Sequence, residues 1–220
     1  MRRWTAFGRF QQTRRVVPDG DVPLLTERLV LRRFRSDDAE VLRSYRSEPT
    51  VARYQSWSAP LSEADVARLV EEFAAGDPRR PGWFQYAITL RSDGRLIGDL
   101  GVRLHDNLRQ AELGFTLAPA HQGQGYATEA VTAVVDHLFT QRQLHRISAE
   151  CDARNSASAA LLQRVGFRQE GLRRENTWIK GEWTDDLLFG LLSREWPGGA
   201  VTTGGRRAGS RTRAPRTATG

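Results

Sequence analysis

The stretch from residue 111 to 139 constrains the fold most, because its pattern changes from strand to helix across two glycines. Apolar residues alternate over Ala111–Leu117, which predicts a strand with Leu113, Phe115 and Leu117 on one face. Ala118-Pro119 ends it, since proline cannot donate to a sheet ladder. Helical spacing follows, with an apolar face made of Val131, Val134, Val135, Leu138 and Phe139. The chain therefore contains a strand, an elbow and an amphipathic helix in direct succession.

The elbow, Gln122–Ala127, reads QGQGYA. Small residues let the backbone approach a ligand, and the first N–H groups of a helix have no partner within the helix. The helix dipole favours an anion there, so the predicted ligand is a phosphate or pyrophosphate. A bare turn fits the same residues. Neither a Gly-Lys-Ser/Thr phosphate loop nor the three-glycine dinucleotide fingerprint is present.

Length and composition predict one globular domain. The 220 residues are 39% hydrophobic and 27% charged, which allows a sizeable core. We find no apolar run of transmembrane length and no secretory-signal layout. Cys151 is the single cysteine, so no internal disulfide forms, as expected in a reducing cytoplasm. Its place in the ISAEC run favours a buried strand residue over a nucleophile.

The net charge of +7 is concentrated at the two ends of the chain. Residues 1–18 and 198–220 hold ten arginines and no acid, so residues 19–197 carry a charge of −3. A slightly acidic body suits a cationic acceptor better than a nucleic-acid backbone, and we expect no specific nucleic-acid or membrane partner. We predict disordered extensions at 1–22 and 198–220 around a domain at 23–197. A membrane-surface segment is the alternative for the first extension.

The remaining patterns predict an α/β fold, with a mixed sheet and helices on both faces. The predicted strands are Thr26–Arg33, Trp83–Leu90, Leu96–Leu104, Ile147–Cys151, Phe167–Leu172, Trp178–Ile179 and Asp185–Leu192. The other predicted helices run from a cap at Ser36-Asp37-Asp38 to about Ser47, from a cap at Ser62 to Gly76, and from Asn155 to Leu162, closed by Gly166.

The elbow resembles the pyrophosphate arm of the GNAT superfamily of acetyl-CoA-dependent N-acetyltransferases. Gln122, Gly125 and Ala127 match the family pattern Gln/Arg-x-x-Gly-x-Gly/Ala, and the order of elements is similar from Leu24 to Glu195. The resemblance implies a twisted, mostly antiparallel mixed sheet, acetyl-CoA as cosubstrate and no metal. The residues implied to hold the cofactor pyrophosphate are Gln122, Gly123, Gln124, Gly125, Tyr126 and Ala127. Leu117 and Ala118 match a strand bulge, so their backbones are implied to meet the pantetheine amides.

Four further residues acquire roles from the same resemblance. Glu112 is placed like the strand glutamate that some GNAT enzymes use as general base, with an ion-pair partner as the alternative. Asn155-x-x-Ser158-x-x-x-Leu162 resembles the RimJ/RimL branch, because leucine stands where many GNAT enzymes carry a tyrosine acid. Ser158 is then implied to protonate the thiolate and Asn155 to contact pantetheine; a surface serine and a plain helix cap are the alternatives. Arg164 either reaches the adenosine phosphates or is solvated.

The expected reaction is acetyl transfer from acetyl-CoA to a primary amine by direct attack. A small amine such as an aminoglycoside is slightly favoured over a protein N-terminus. The alternatives are another acyl-CoA, or an acyl-CoA sensor without turnover, in a monomer or homodimer. Aromatic lining of the acceptor pocket by Tyr54, Trp57 and Trp83 is one hypothesis, and core packing is the other. The four histidines lack metal-ligand spacing, and surface positions are expected for them: His105, His121, His137 and His145.

Overall fold

The computed structural model describes residues 21–197, so residues 1–20 of the first predicted disordered extension and all of the second lie outside this range. Eight strands form one sheet in the order β1-β2-β3-β4-β5-β6-β8-β7 within the described part of the chain. The strands are β1 Leu24–Leu25, β2 Leu29–Arg32, β3 Gly82–Leu90, β4 Leu96–Leu104, β5 Gln110–Leu117, β6 Arg146–Asp152, β7 Arg168–Ile179 and β8 Glu182–Leu192. The helices are α1 Ala39–Arg46, α2 Pro49–Ala52, α3 Glu63–Ala75, α4 Tyr126–Thr140 and α5 Ser156–Val165.

Helices cover both faces of this sheet, as the sequence predicts. The apolar stripe of α4 packs with α5 in the larger core, where Val131, Val134 and Val135 are completely buried. A smaller core on the other face joins α1 to α3, with Phe34 and Phe73 in ring contact at 5.2 Å between centroids. The mixed α/β architecture is confirmed.

The sheet forks between β5 and β6, the one parallel pair among the described strands. The two strands pair from Gln110 with Arg146 to Leu113 with Ala149, and no further. Beyond this point β5 stays paired with β4 up to Leu117, while β6 stays paired with β8 up to Asp152. The backbone edges that face each other past Leu113 therefore have no strand partner within residues 21–197.

The local signals at helix ends are mostly confirmed. The Ser62 hydroxyl accepts from the N–H of Asp65, 3.1 Å away, and Gly166 closes α5 at φ +113°. The expected cap at residues 36–38 is instead a separate 3-10 turn, so α1 begins only at Ala39. The carboxylate of Asp38 turns back to accept from the N–H of Arg35 at 2.7 Å, which holds this turn apart from the helix.

Two boundaries differ from prediction. β7 is one strand of twelve residues rather than two pieces, although a register shift between Arg173 and Thr177 interrupts its pairing with β8. The domain also begins at or before Asp21, since Asp21 is 4% and Val22 8% exposed. The predicted extension to residue 22 is thus too long by at least two residues.

The buried carboxylate of Asp21 faces polar side chains from the loop after α3, from α4 and from the loop after α4. Its carboxylate accepts from Arg79 Nε at 2.6 Å, contacts His137 Nε2 at 2.9 Å, and lies 3.4 Å from Arg142 Nη1. His137 is therefore inside the protein at 8% exposure, and its expected surface position is wrong. Burial acts to raise the pKa of Asp21, but the bond from Arg79 and the neighbouring charges lower it overall.

Candidate functional site

A cavity of about 140 Å³ lies in the fork between β5 and β6. Its walls are the two strand arms, the start of α5, the β7–β8 hairpin and the loop after α2. The side chains and backbone that line it belong to Arg46, Tyr54, Gln55, Ser56, Trp57, Gln85, Asp99, Glu112, Leu113, Gly114, Phe115, Thr116, Ala149, Glu150, Cys151, Asp152, Asn155, Ser158, Leu162, Thr177, Ile179 and Asp186. Long-range pairing thus brings Glu112, Asn155 and Ser158 into one site.

Asp99 on β4 anchors the floor of the cavity. It is 1% exposed, and its carboxylate accepts from Arg46 Nη2 and Gln85 Nε2, each at 2.6 Å, and from the Tyr45 hydroxyl. Burial and the charge of Asp99 raise the pKa of Tyr45 well above its usual value, so this phenol stays a neutral donor. The guanidinium of Arg46 also lies 4.4 Å from the centre of the Trp57 ring. The floor is therefore a fully bonded, rigid cluster.

Carboxylates from three strands line the wall. Glu112 on β5 and Glu150 on β6 share a sheet face, because Glu112 pairs with Ser148, two residues before Glu150. Arg103 Nη1 lies 3.4 Å from Glu112 Oε2. Asp186 on β8 accepts from Asn176 Nδ2 and Thr177 Oγ1, both at 2.6 Å.

The electrostatics single out Glu150. Partial removal from water raises its pKa first, and the negative charges of Glu112 and Asp186 raise it further, against the opposing charge of Arg173. Arg173 Nη1 is 3.7 Å from Glu150 Oε2, and 40% of the glutamate side chain is exposed. The surroundings of Glu150 therefore favour the uptake of a proton.

The α5 start places its polar residues at the cavity. Asn155 caps the helix, its side chain accepting from the N–H of Ser158 at 3.1 Å, so the cap is one role of this residue. Ser158 is partly buried and lines the cavity, while Leu162 below it is 1% exposed. Cys151 is a partly buried strand residue whose pKa is raised to about 11 by desolvation and the nearby carboxylates. Its thiol is therefore protonated at neutral pH, unlike an active nucleophile.

The three predicted acceptor aromatics divide between two places. Tyr54 and Trp57 line the cavity, and Trp57 Nε1 donates to the carbonyl of Arg46 at 3.0 Å. Trp83 does not line it, because its ring packs over Gly101, where an added Cβ would lie 3.2 Å from Cζ3. Near the entrance, Lys180 at the β7–β8 turn donates to the carbonyl of Ala52, which ties the hairpin to α2.

The elbow presents free backbone donors. Gly125 precedes α4 at φ +82° and offers no capping side chain, and the first intrahelical bond runs from the N–H of Glu129 to its carbonyl. The N–H groups of Tyr126, Ala127 and residue 128 therefore point out of the helix start. Gly123 adopts φ +72°, with open space where a side chain would stand. This backbone is shaped to receive an anion.

Side chains hold the elbow in this shape. Gln122 Nε2 donates to the carbonyl of Leu117, and Gln124 Nε2 to that of Ala120, each at 2.8 Å. Arg28 from the β1–β2 connection donates to the carbonyl of Gln124 at 3.1 Å and pairs with Glu129 at 2.7 Å. Both glutamines are thus used within the loop, and Arg28 fixes it from outside.

The two remaining cofactor predictions concern Arg164 and a strand bulge at Leu117 and Ala118. Arg164 Nη1 lies 3.3 Å from Thr128 Oγ1, so it reaches the first turn of α4 beside the elbow. The bulge expected at Leu117 and Ala118 is not found in the β4–β5 pairing, which keeps one register up to Leu117. The Ala118 N–H also continues towards β4, donating to Ile97 at 2.8 Å. The strands part earlier, after Leu113, because β6 turns away to pair with β8.

Sequence reasoning missed Arg28, Asp99 and Glu150. Each is brought to the site by a partner far along the chain: Glu129 for Arg28, Arg46 for Asp99, and the β6–β8 pairing for Glu150. A signal in the sequence existed only for Asp99, which is the one charged residue in the stretch 96–102 of β4. In residues 21–197, no helix is long and apolar enough to cross a membrane, and no three His, Cys, Asp or Glu side chains are grouped to hold a metal.

Comparison with known proteins agrees with this architecture. The family model described as an acetyltransferase (GNAT) domain matches residues 28–168. The uncharacterized N-acetyltransferase p20 of Bacillus licheniformis is 34% identical over 180 residues, covering 80% of this chain and 98% of the relative. The [ribosomal protein uS5]-alanine N-acetyltransferase of Escherichia coli (strain K12) is 27% identical over 187 residues, covering 81% and 94%.

A solved structure shows the same fold. RimL, a ribosomal L7/L12 alpha-N-protein acetyltransferase solved in complex with coenzyme A, superposes with a TM-score of 0.68 at 20% identity, covering 78% of this chain and 97% of RimL. The fold, the forked sheet and the family match agree with the resemblance read from the elbow and from the α5 motif. The chain therefore belongs to the GNAT acetyltransferase family, has RimJ/RimL-like relatives, and is an N-acetyltransferase.

Proposed function

We propose that this protein transfers the acetyl group of acetyl-CoA to a primary amine of a small cationic molecule. One observation carries the proposal: the β5–β6 fork joins an elbow of free N–H donors at α4 to an acid-lined cavity. A long anionic cosubstrate and a cationic acceptor can then meet where the strands part.

The residues present fit acetyl-CoA. The N–H donors of residues 126–128 suit a pyrophosphate, and Gly123 leaves open space near them. The unpaired strand edges past Leu113 suit the amides of an extended pantetheine chain, which would take the place of a missing strand. Arg164 would add a positive charge near the adenosine phosphates.

Bound acetyl-CoA would supply an activated thioester carbon. The wall carboxylates Glu112 and Glu150 would bind the acceptor ammonium and take a proton, leaving a neutral amine to attack. Ser158, at the cavity end of α5, would donate a proton to the departing thiolate. Holding both reactants in this geometry would supply a large part of the rate acceleration, because the reaction becomes effectively unimolecular.

The cavity favours a small cationic acceptor. Its wall carries Glu112, Glu150, Asp152 and Asp186, and its volume of about 140 Å³ accommodates one amine arm rather than a folded substrate. A protein N-terminus is the second candidate, because the Escherichia coli relative named for ribosomal protein uS5 aligns with 81% of this chain. The number of positive charges distinguishes the two candidate acceptors. A multiply charged amine is attracted to these carboxylates more strongly than a single α-ammonium is.

A thiol-release assay with acetyl-CoA tests the proposal. We expect turnover with polyamines or aminoglycosides, and a KM for the amine that rises steeply between low and physiological salt, because exposed charges are screened. N-terminal peptides of ribosomal proteins serve as the comparison panel. Rapid peptide acetylation without turnover of the small amines would show that the acceptor is a protein N-terminus rather than a small amine. Absence of thiol release with every amine would overturn the proposed activity.

A further inference from the structure

We propose that Glu150, rather than Glu112, receives the proton of the acceptor ammonium, while Glu112 remains the charge that holds the ammonium in place. This assignment rests on the proposed acetyl transfer and adds a division of labour between two carboxylates on one sheet face. It is carried by the position of each carboxylate in the forked sheet and by its partners.

Glu150 stands at the point where the fork opens. It is the first residue of β6 past the last pair with β5, and it faces the cavity lined by Ser158. A reactant lying along the free edge of β5 would pass next to this carboxylate. Glu112 stands one step deeper, where β5 and β6 are still paired and Arg103 on β4 approaches it to 3.4 Å.

The charges facing the two carboxylates differ. Glu150 faces Glu112 from β5 and Asp186 from β8, and among residues 21–197 the cation that pairs with it is Arg173 on β7, at 3.7 Å. Asp152 on its own strand is bonded to Arg154 at 2.7 Å. The neighbouring acids and partial desolvation raise the pKa of Glu150, which favours proton uptake. Glu112 instead has Arg103 on the neighbouring strand beside it, where the two side chains form an ion pair.

The proton balance is simple. One N–H bond of the acceptor ammonium breaks and its proton passes to a Glu150 oxygen, which leaves the nitrogen lone pair free. That lone pair forms the new C–N bond, and the C–S bond of the thioester breaks. As the amide forms, the nitrogen loses a second proton, which the Ser158 hydroxyl relays to the departing sulfur, and Glu150 returns its own proton to water before the next cycle.

Four variants of the full chain test the assignment, with acetyl-CoA and the best amine of the panel. Glu150→Gln should lower kcat on the order of a hundredfold, with the KM for acetyl-CoA within a few-fold of wild type. Glu112→Gln should mainly raise the KM for the amine. Asp186→Asn should move the rising limb of the kcat–pH profile to lower pH, because a neighbouring negative charge is removed. Arg173→Gln should move it to higher pH, because a positive charge is removed.

A purely structural role for Glu150 would not shift the rising limb of the kcat–pH profile in opposite directions in Asp186→Asn and Arg173→Gln. Melting temperatures confirm that each variant folds, and Glu150→Asp should recover part of the lost kcat. If wild type turns over and Glu150→Gln keeps its kcat and pH limb, the assignment is overturned while acetyl transfer stands. If the limb disappears in Glu112→Gln instead, Glu112 is the base. Wild type without turnover overturns the proposed function, and this assignment with it.

Discussion

Asp99 shows how a buried charge is tolerated at a single residue. Its carboxylate has two charged bonds from Arg46 and further donors in Gln85 and Tyr45, so the cost of removing it from water is offset by several close partners. The side chain of Arg46 is only 8% exposed, so it depends on the same pair. Removing one partner would leave the other charge buried without compensation.

Asp99→Asn should therefore destabilise the protein strongly. We expect a loss of about 3 kcal/mol in the free energy of unfolding, because one half of a buried ion pair is removed. The melting temperature should fall by roughly 10 °C for a domain of this size. Asp93→Asn is the matched control, since Asp93 pairs with Arg95 in an exposed turn and should leave the melting temperature nearly unchanged. Equal effects of the two variants would contradict the role given to the Asp99 cluster.

At the scale of elements, the strand–elbow–helix unit was predictable because all of its signals lie within one contiguous stretch. β5 and α4 were found close to their predicted bounds, and the α4 apolar face is buried as expected. β7 was divided wrongly because residues 173–176 are polar and without alternation, which is how a bulged edge strand reads in sequence. Where β6 leaves β5 depends on its pairing with β8, which no local pattern encodes.

The elbow itself allows a matched test. Gly123 and Gly94 have nearly equal φ values, +72° and +74°, and both have open space where a side chain would stand. Glutamate at either position carries the same backbone strain, but only Gly123→Glu adds negative charge beside the donors of α4. We expect its Kd for acetyl-CoA by calorimetry to rise about tenfold or more, equivalent to ~1.4 kcal/mol. Gly94→Glu should bind acetyl-CoA with the wild-type Kd. A similar loss of affinity in both variants would contradict the assignment of the elbow as the pyrophosphate site.

At the scale of the whole molecule, the described residues 21–197 supply two hydrophobic cores and the cavity walls named above. The arginine-rich ends are visible in the sequence, but the first predicted boundary is misplaced by at least two residues. Hydropathy alone marks Asp21 as a surface residue, since its burial requires Arg79 and His137 from distant elements. The polar contacts of Asp21 therefore place it inside the folded domain, which apolar patterning alone does not predict.

Two truncations on either side of Asp21 test this boundary. A chain lacking residues 1–20 and 198–220 should keep its melting temperature and its acetyl-CoA affinity. Removing residues 21 and 22 as well should cost about 3 kcal/mol in the free energy of unfolding, because a buried carboxylate facing several positive groups is lost. Asp21→Asn in the chain that begins at Asp21 separates the loss of charge from the loss of Val22.

The pH dependence of that difference identifies its cause. The pKa of Asp21 is lowered from 3.8 in the folded protein, so its ionised form stabilises the fold fully above about pH 4. This contribution disappears as the pH falls through the lowered pKa, because the folded carboxylate must then take up a proton. Urea unfolding of the chain that keeps Asp21 and of its Asp21→Asn variant should differ most near neutral pH and converge at the acid end. A difference that stays constant down to pH 2 would show that packing, and not the Asp21 charge, fixes the start of the domain.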